Sequence, residues 1–320
     1  MTLTPEIIAI LMLDALFLFF SLIAFVLSLR IFLKWDKQSS HPLQYTLEKQ
    51  SYLVSVVIKY IFILKLPLFL FYIFTCNKLS NIITGAMCAS GVVNSVDFGL
   101  YLILFKIINL YLFGFWLLLN HADLNDELTP FVKMKFLLFV IAFIPFLVEI
   151  FLEISFFASL NISKIVSCCG TLFSVTSVSY LSLLFKVDST ILVGIFYFFG
   201  LMLLLGYKMK NIILFIFSNV MYALFGIIAL IVFFSTYVYE LPTHHCPFCL
   251  LQQEYYGVGY AMYIALFVGT FYGACGGILE LVSHKGNMKF FKISLTFNLL
   301  YMGLVSIYPV LYYLKNGVWL

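Results

Sequence analysis

The chain has 320 residues, 64% of them hydrophobic and only 10% charged, with a formal net charge of +4. A soluble domain carries about 25% charged residues, and no globular fold hides this much apolar surface from water, so the solvent this sequence is written for is lipid. The small positive charge then reads as membrane topology rather than as a nucleic-acid footprint.

A bilayer-spanning helix needs roughly 20 predominantly apolar residues. Eight runs qualify: residues 6–29, 52–75, 98–119, 136–158, 189–207, 212–235, 257–282 and 293–313. The expectation is an all-α polytopic helix bundle, a single transmembrane domain over residues 1–320 with no soluble domain, because no inter-helix segment is both long and polar. The first run lacks a basic leader and is longer than a signal-peptide core, so it is read as a retained helix.

Lysine and arginine fix the orientation. With the N-terminus outside, the inner loops hold Arg30, Lys34, Lys37, Lys49, Lys133, Lys135, Lys208, Lys210, Lys285, Lys289 and Lys292, whereas the outer loops hold only Lys78, Lys164, Lys186 and Lys315. The positive-inside bias therefore places both termini outside the cytoplasm, and the chain reads as a multi-pass protein of a prokaryotic cytoplasmic (inner) membrane. Residues 165–187 are apolar enough for a ninth span, but serine and threonine dilute them. A ninth span would also invert the charge bias, so the segment is read as re-entrant or interfacial.

Seven cysteines punctuate the chain. In the expected topology Cys76, Cys88, Cys168, Cys169, Cys246 and Cys249 all fall on the outer side, where disulfides persist, and only Cys275 lies within a span. They suggest three sulfur sites: Cys76 with Cys88 flanking a short loop, the vicinal pair Cys168–Cys169, and Cys246-Pro247-Phe248-Cys249, preceded by His244 and His245. A C-x-x-C pair at a helix N-terminus has its thiolate stabilised by open N–H groups and the helix dipole, and the seventh span is expected to allow this if its first turn begins at Cys249. A thiolate serves equally as the attacking group in disulfide exchange and as a soft-metal ligand, with histidine nitrogens adding to the ligand set. Structural disulfides, a redox pair and a metal site all remain open on these residues; Met87 would suit Cu(I) as well.

Cys246-Pro-Phe-Cys249-Leu-Leu-Gln-Gln253 resembles the active-site segment of quinone-coupled disulfide-forming membrane oxidoreductases of the DsbB type. It is also similar to that of the vitamin K epoxide reductases, which add a second, loop-borne cysteine pair. The resemblance covers about ten residues. It implies electron exchange between Cys246/Cys249 and a quinone held by Phe248, Gln253, Tyr255 and Tyr256, with Cys76/Cys88 or Cys168/Cys169 relaying to an extracytoplasmic thiol protein. Gln253 stands where that family carries arginine. Ser167-Cys168-Cys169-Gly170 resembles the outer cysteine pair of mercuric-ion membrane transporters.

Ionisable residues also fall inside the expected spans: Asp14, Lys59, Lys65, Lys106, Glu149, Glu153 and Glu280. At mid-bilayer each costs roughly 2.5–3.5 kcal/mol, so such groups face the bundle interior and pair. Depth suggests Lys65 or Lys106 opposite Glu149 and Lys59 opposite Glu280, with Asp14 unmatched; paired packing and a proton or ion path both fit. Gly273 and Gly277, with Gly276 beside them, form a small-residue face for close helix contact.

Three functional expectations follow. The leading one is an integral membrane thiol–disulfide oxidoreductase acting at the extracytoplasmic face through Cys246 and Cys249, with a quinone as cofactor. The second is a soft-metal transporter or delivery protein, for copper or zinc, with His244, His245, Cys246, Cys249, Cys168, Cys169 and Met87 as entry ligands. The third is a subunit of a larger membrane complex, its cysteines structural.

Overall fold

The computed structural model describes residues 4–36, 42–126, 129–161, 166, 187–283 and 288–320. Among them, nine α-helices and no strand occur: α1 Pro5–Lys34, α2 Pro42–Ser80, the short α3 Ala89–Val93, α4 Gly99–Leu124, α5 Val132–Ser159, α6 Ser189–Lys208, α7 Ile212–Tyr239, α8 Val258–Ser283 and α9 Lys289–Asn316. All but α3 are long and apolar enough to cross a bilayer, eight in total, and they coincide with the eight apolar runs of the sequence. The expected re-entrant segment, residues 165–187, lies almost wholly outside the described residues.

Local chemistry sets the helix ends. Thr4, in extended conformation, precedes α1, Pro5 opens it at a position that needs no N–H donor, and Glu6 and Lys34 complement the two ends of its dipole. The carboxylate of Asp188 caps α6 by accepting from the Thr190 amide at 2.9 Å, and the Asn211 side chain caps α7 by accepting from Leu214 at 3.1 Å. Gly317, at φ +72°, takes the left-handed conformation that ends α9. Pro67, Pro145 and Pro309 all lie inside helices. The outward faces carry large apolar side chains such as Val26, Phe151 and Ile213, all well exposed, which is the surface a helix presents to lipid.

The chain divides into two compact units. The first comprises Met1–Lys78 and Val93–Lys164, and the second Leu79–Val92 and Ile165–Leu320. In the first unit α1 and α4 pack on α5, and α2 joins through Phe62, whose ring stacks on Phe113 at 4.2 Å. Around Phe62, Phe113, Phe139, Phe143 and Phe146 the rings meet in a chain of stacked and edge-on contacts. In lipid this packing, rather than release of water, holds helices together.

In the second unit α8 packs on α7 and α9, and α6 on α7. The small-residue face of α8 is the reason the helices approach so closely. A Cβ on Gly273 would land on the side chain of Asn219, one on Gly269 on Asn298, and one on Gly277 on Ile216. The space left by the glycines is occupied by a neutral hydrogen-bonded set: Asn298 Nδ2 donates to Asn219 Oδ1 at 2.9 Å and Ser294 Oγ to the same oxygen at 3.1 Å. Tyr222 and Tyr301 then tie their hydroxyls to the backbone carbonyls of Asn298 and Gly226, each at 2.8 Å.

Candidate functional site

The sulfur site is built within the second unit from two segments far apart in the chain. Cys88 lies in the link after α2, immediately before α3; Cys246 and Cys249 lie in the loop between α7 and α8. The Sγ atoms of Cys88 and Cys246 are 3.7 Å apart, and those of Cys88, Cys246 and Cys249 all fall within 4.8 Å of one another. All three residues are buried, and none of them is in a disulfide. A separation of 3.7 Å is far beyond the ~2.05 Å of a disulfide bond. It matches the roughly 3.7–4.0 Å between thiolates that share one metal at about 2.3 Å.

The loop that presents these sulfurs is held by its carbonyls. Tyr239, at the end of α7, donates its hydroxyl to the Cys246 carbonyl, and Tyr263, one turn into α8, donates to the Pro247 carbonyl at 2.7 Å. Gln252 Nε2 reaches across to the Met87 carbonyl at 2.8 Å, tying the C-x-x-C loop to the segment that carries Cys88. Gly259, at the start of α8, lets the helix lie against the backbone of Leu250, where a Cβ would come within 2.9 Å of the Leu250 carbonyl.

A π-turn at Leu230–Phe234 interrupts α7, and the Ile231 carbonyl within it lies 3.1 Å from His245 Nδ1. Bulges of this kind recur at functional sites because they release backbone groups from the regular ladder. His244 packs edge-on against Tyr239, ring centroids 4.4 Å apart, and its Nε2 is buried without a hydrogen-bond partner. Burial pushes the pKa of both histidines below the ordinary imidazole value, so both rings are favoured as neutral nitrogen donors.

The structure brings some expected site residues together and separates others. Cys246 and Cys249 are joined by Cys88, and no histidine belongs to the three-sulfur group. The expected pairing of Cys76 with Cys88 is not formed as a disulfide: α2 runs on to Ser80, so Cys76 sits inside a helix of the first unit, one turn beyond Tyr72, while Cys88 belongs to the second. Cys168 and Cys169 lie outside the described residues. The expected helix start at Cys249 is also corrected. Residues Cys249–Leu251 and Gln253–Tyr255 form two 3₁₀ turns, Tyr256 and Gly257 take positive φ, and α8 begins only at Val258. The strongest dipole field therefore falls beyond the cysteines.

Of the expected quinone contacts, Phe248 and Tyr255 pack against the core that holds the sulfurs, and burial raises the pKa of the Tyr255 phenol, with Cys249 adding to the effect. Tyr256 is 98% exposed and Gln253 is exposed. Met87 points its side chain outward at 73% exposure, leaving only its carbonyl in the site. Tyr239, Tyr263 and the π-turn were not marked by any sequence pattern; tyrosines near a membrane surface are too common to single out.

A second polar cluster occupies the interior of the first unit. Lys65 Nζ on α2 meets Asp14 Oδ1 on α1 at 2.6 Å and Glu149 Oε1 on α5 at 3.2 Å. Lys106 Nζ on α4 meets Glu149 Oε1 at 3.1 Å and Glu153 Oε2 at 2.6 Å. Asn109 adds an amide donor to Glu149 Oε2, and the Tyr72 ring lies 4.6 Å under Lys106 Nζ. The two lysines do meet Glu149 as depth suggested. Asp14, expected to be unmatched, is paired with Lys65. Lys59 is exposed in the first unit and Glu280 is buried in the second.

No family model, no curated protein and no solved structure matches this chain. Fold and site together define its class as a polytopic α-helical membrane protein with a buried three-cysteine cluster.

Proposed function

We propose that the protein binds a soft metal ion, Cu(I) or Zn(II), at Cys88, Cys246 and Cys249, and that it serves as a membrane transporter or delivery protein for that ion. The observation that carries this reading is the convergence of three buried sulfurs from two distant segments within 4.8 Å. Thiolates are the ligands that select such ions. A three-sulfur set suits Cu(I) as it stands, whereas Zn(II) takes four ligands, and the Nε2 of His244, buried without a hydrogen-bond partner, is a candidate for the fourth. His245 is engaged with a backbone carbonyl, which assigns it to holding the loop. The positive-inside bias supports placing the site toward the extracytoplasmic face of a cytoplasmic membrane.

The test is anaerobic titration of the purified, reduced protein with Cu(I) or Zn(II) under a competing chelator. One ion per chain is expected, with affinity falling at least about tenfold in Cys88→Ser and in Cys246→Ser, in line with the loss seen when even outer-shell partners of metal ligands are removed. Absence of tight binding, or affinities unchanged in both variants, would sink the reading.

The 3.7 Å contact between Cys88 and Cys246 favours one second reading, thiol–disulfide exchange. There the Cys88 thiolate attacks Cys246 of a Cys246–Cys249 disulfide, a Cys88–Cys246 bond forms, and Cys249 leaves as thiolate. A quinone would be the electron acceptor and an extracytoplasmic thiol protein the donor. Alkylation trapping separates the two readings: a mixed population of bridged pairs that responds to quinone supports exchange, and thiols protected only by metal support binding.

A further inference from the structure

The charged cluster of the first unit does not balance. Three carboxyl groups, Asp14, Glu149 and Glu153, face two ammonium groups, Lys65 and Lys106, and all five residues are at most 4% exposed. With every group in its ordinary ionised form the cluster carries one net negative charge inside a membrane-spanning bundle, where an uncompensated charge is strongly disfavoured.

The hydrogen bonds show where the imbalance falls. Glu149 spends both oxygens, Oε1 on the two lysines and Oε2 on Asn109. Asp14 and Glu153 each spend one oxygen on a lysine, Oδ1 and Oε2 respectively. Their remaining oxygens, Asp14 Oδ2 and Glu153 Oε1, are buried with no hydrogen-bond partner, although the two carboxyl groups lie within hydrogen-bonding reach of each other. Two carboxylates cannot bond to one another, because each is acceptor only; a carboxylic acid and a carboxylate can. One proton therefore supplies the missing donor and cancels the net charge at once.

We propose that this cluster binds one proton, held between the carboxyl groups of Asp14 and Glu153. The groups that face it are Asp14 from α1, Lys65, Tyr72 and Cys76 from α2, Lys106 from α4, and Glu149 and Glu153 from α5. A cavity of about 10 Å³ borders Lys65, Lys106 and Glu149, close to the space that one water molecule needs. The first unit thereby contains a proton site of the kind that coupled transport or membrane redox chemistry draws on, and the assignment stands independently of what the cysteines bind.

Infrared spectroscopy of the intact purified protein at neutral pH tests it. A protonated-carboxyl C=O band that shifts on transfer to D₂O is expected. It is lost in Asp14→Asn and equally in Glu153→Gln, since each amide supplies the donor and leaves two carboxylates against two ammonium groups. Glu6→Gln, whose carboxylate instead bridges to Lys78, keeps the band. If one variant fails to fold, the other and the wild-type D₂O shift still decide. A wild-type protein without such a band overturns the proposal, as does a band that survives in both variants. So does stabilisation by Na⁺ or K⁺ at fixed pH with no band, which would make the bound cation a metal ion.

Discussion

Replacing Lys106 by methionine keeps the length of the side chain and removes one of two cations from a cluster of three carboxyl groups. Two contacts are lost, 3.1 Å to Glu149 and 2.6 Å to Glu153. Breaking one partner of a buried ion pair costs about 3–5 kcal/mol, most of it for the charge left behind. An independent ceiling comes from protonation: the cluster can escape by taking up one more proton. At pH 7 that costs roughly 4 kcal/mol for a carboxyl group that ionises near ~4.3 in water, at 1.36 kcal/mol per pH unit. The two figures agree, so a loss of about 4 kcal/mol is expected at pH 7, shrinking by about 1.4 kcal/mol for each unit the pH is lowered. Lys106→Met/Glu149→Gln leaves Asp14 and Glu153, sharing one proton, against the single ammonium of Lys65, so it removes the stranded charge and should recover most of the loss. The measurement is reversible unfolding of the detergent-solubilised protein at several pH values. A single variant within about 1 kcal/mol of wild type, or a double variant no better than the single one, would refute an ion network that is compensated charge by charge.

On α8, Gly273→Leu drives a side chain into Asn219 and should cost about 1–3 kcal/mol of thermal or denaturant stability, whereas Gly194→Ala, with nothing within 4 Å of its Cβ, should be silent. Tyr239→Phe and Tyr263→Phe each remove a hydrogen bond to the cysteine loop; at about 0.5–1.5 kcal/mol apiece, each should speed alkylation of Cys246 by roughly two- to tenfold. His244 and His245, their pKa values lowered by burial, favour the neutral form in the folded state. Their contribution to stability is thus complete above the unfolded value of about 6.5 and is lost as pH falls through the lowered folded values; His245→Gln should flatten the stability profile across that window.

The spans were legible because lipid enforces one rule on every residue of a helix surface, and twenty or so apolar residues in a row have few other uses. The interior charges were legible in part. Depth along a helix is simple arithmetic at 1.5 Å per residue, so Glu149 could be matched with Lys65 and Lys106. Helix rotation is not arithmetic, and Asp14 is buried on a face of α1 that composition does not reveal. The sulfur site was legible at Cys246 and Cys249, where spacing carries the signal. It was not legible at Cys88, whose partner lies 158 positions away. Nearness in sequence favoured Cys76, but α2 extends to Ser80 and buries that cysteine in a helix, a boundary that Asn77 and Lys78 disguise as the start of a loop.

The surroundings of the three sulfurs bear on which chemistry they serve. A nucleophilic cysteine needs its thiolate stabilised before a partner arrives, by a helix N-terminus, a cation or donated hydrogen bonds. Here α8 starts at Val258, past two 3₁₀ turns and a left-handed pair, so Cys249 does not stand at its N-terminus. The hydroxyls of two tyrosines that hold the loop are spent on carbonyls, Tyr239 on Cys246 and Tyr263 on Pro247. Both histidines are shifted by burial toward their neutral form. On the proposed metal-binding reading, the three sulfurs gathered within 4.8 Å of one another receive a soft cation that itself provides the charge that draws the protons off. That reading predicts a metal affinity that rises with pH, because the ligands must lose their protons to bind.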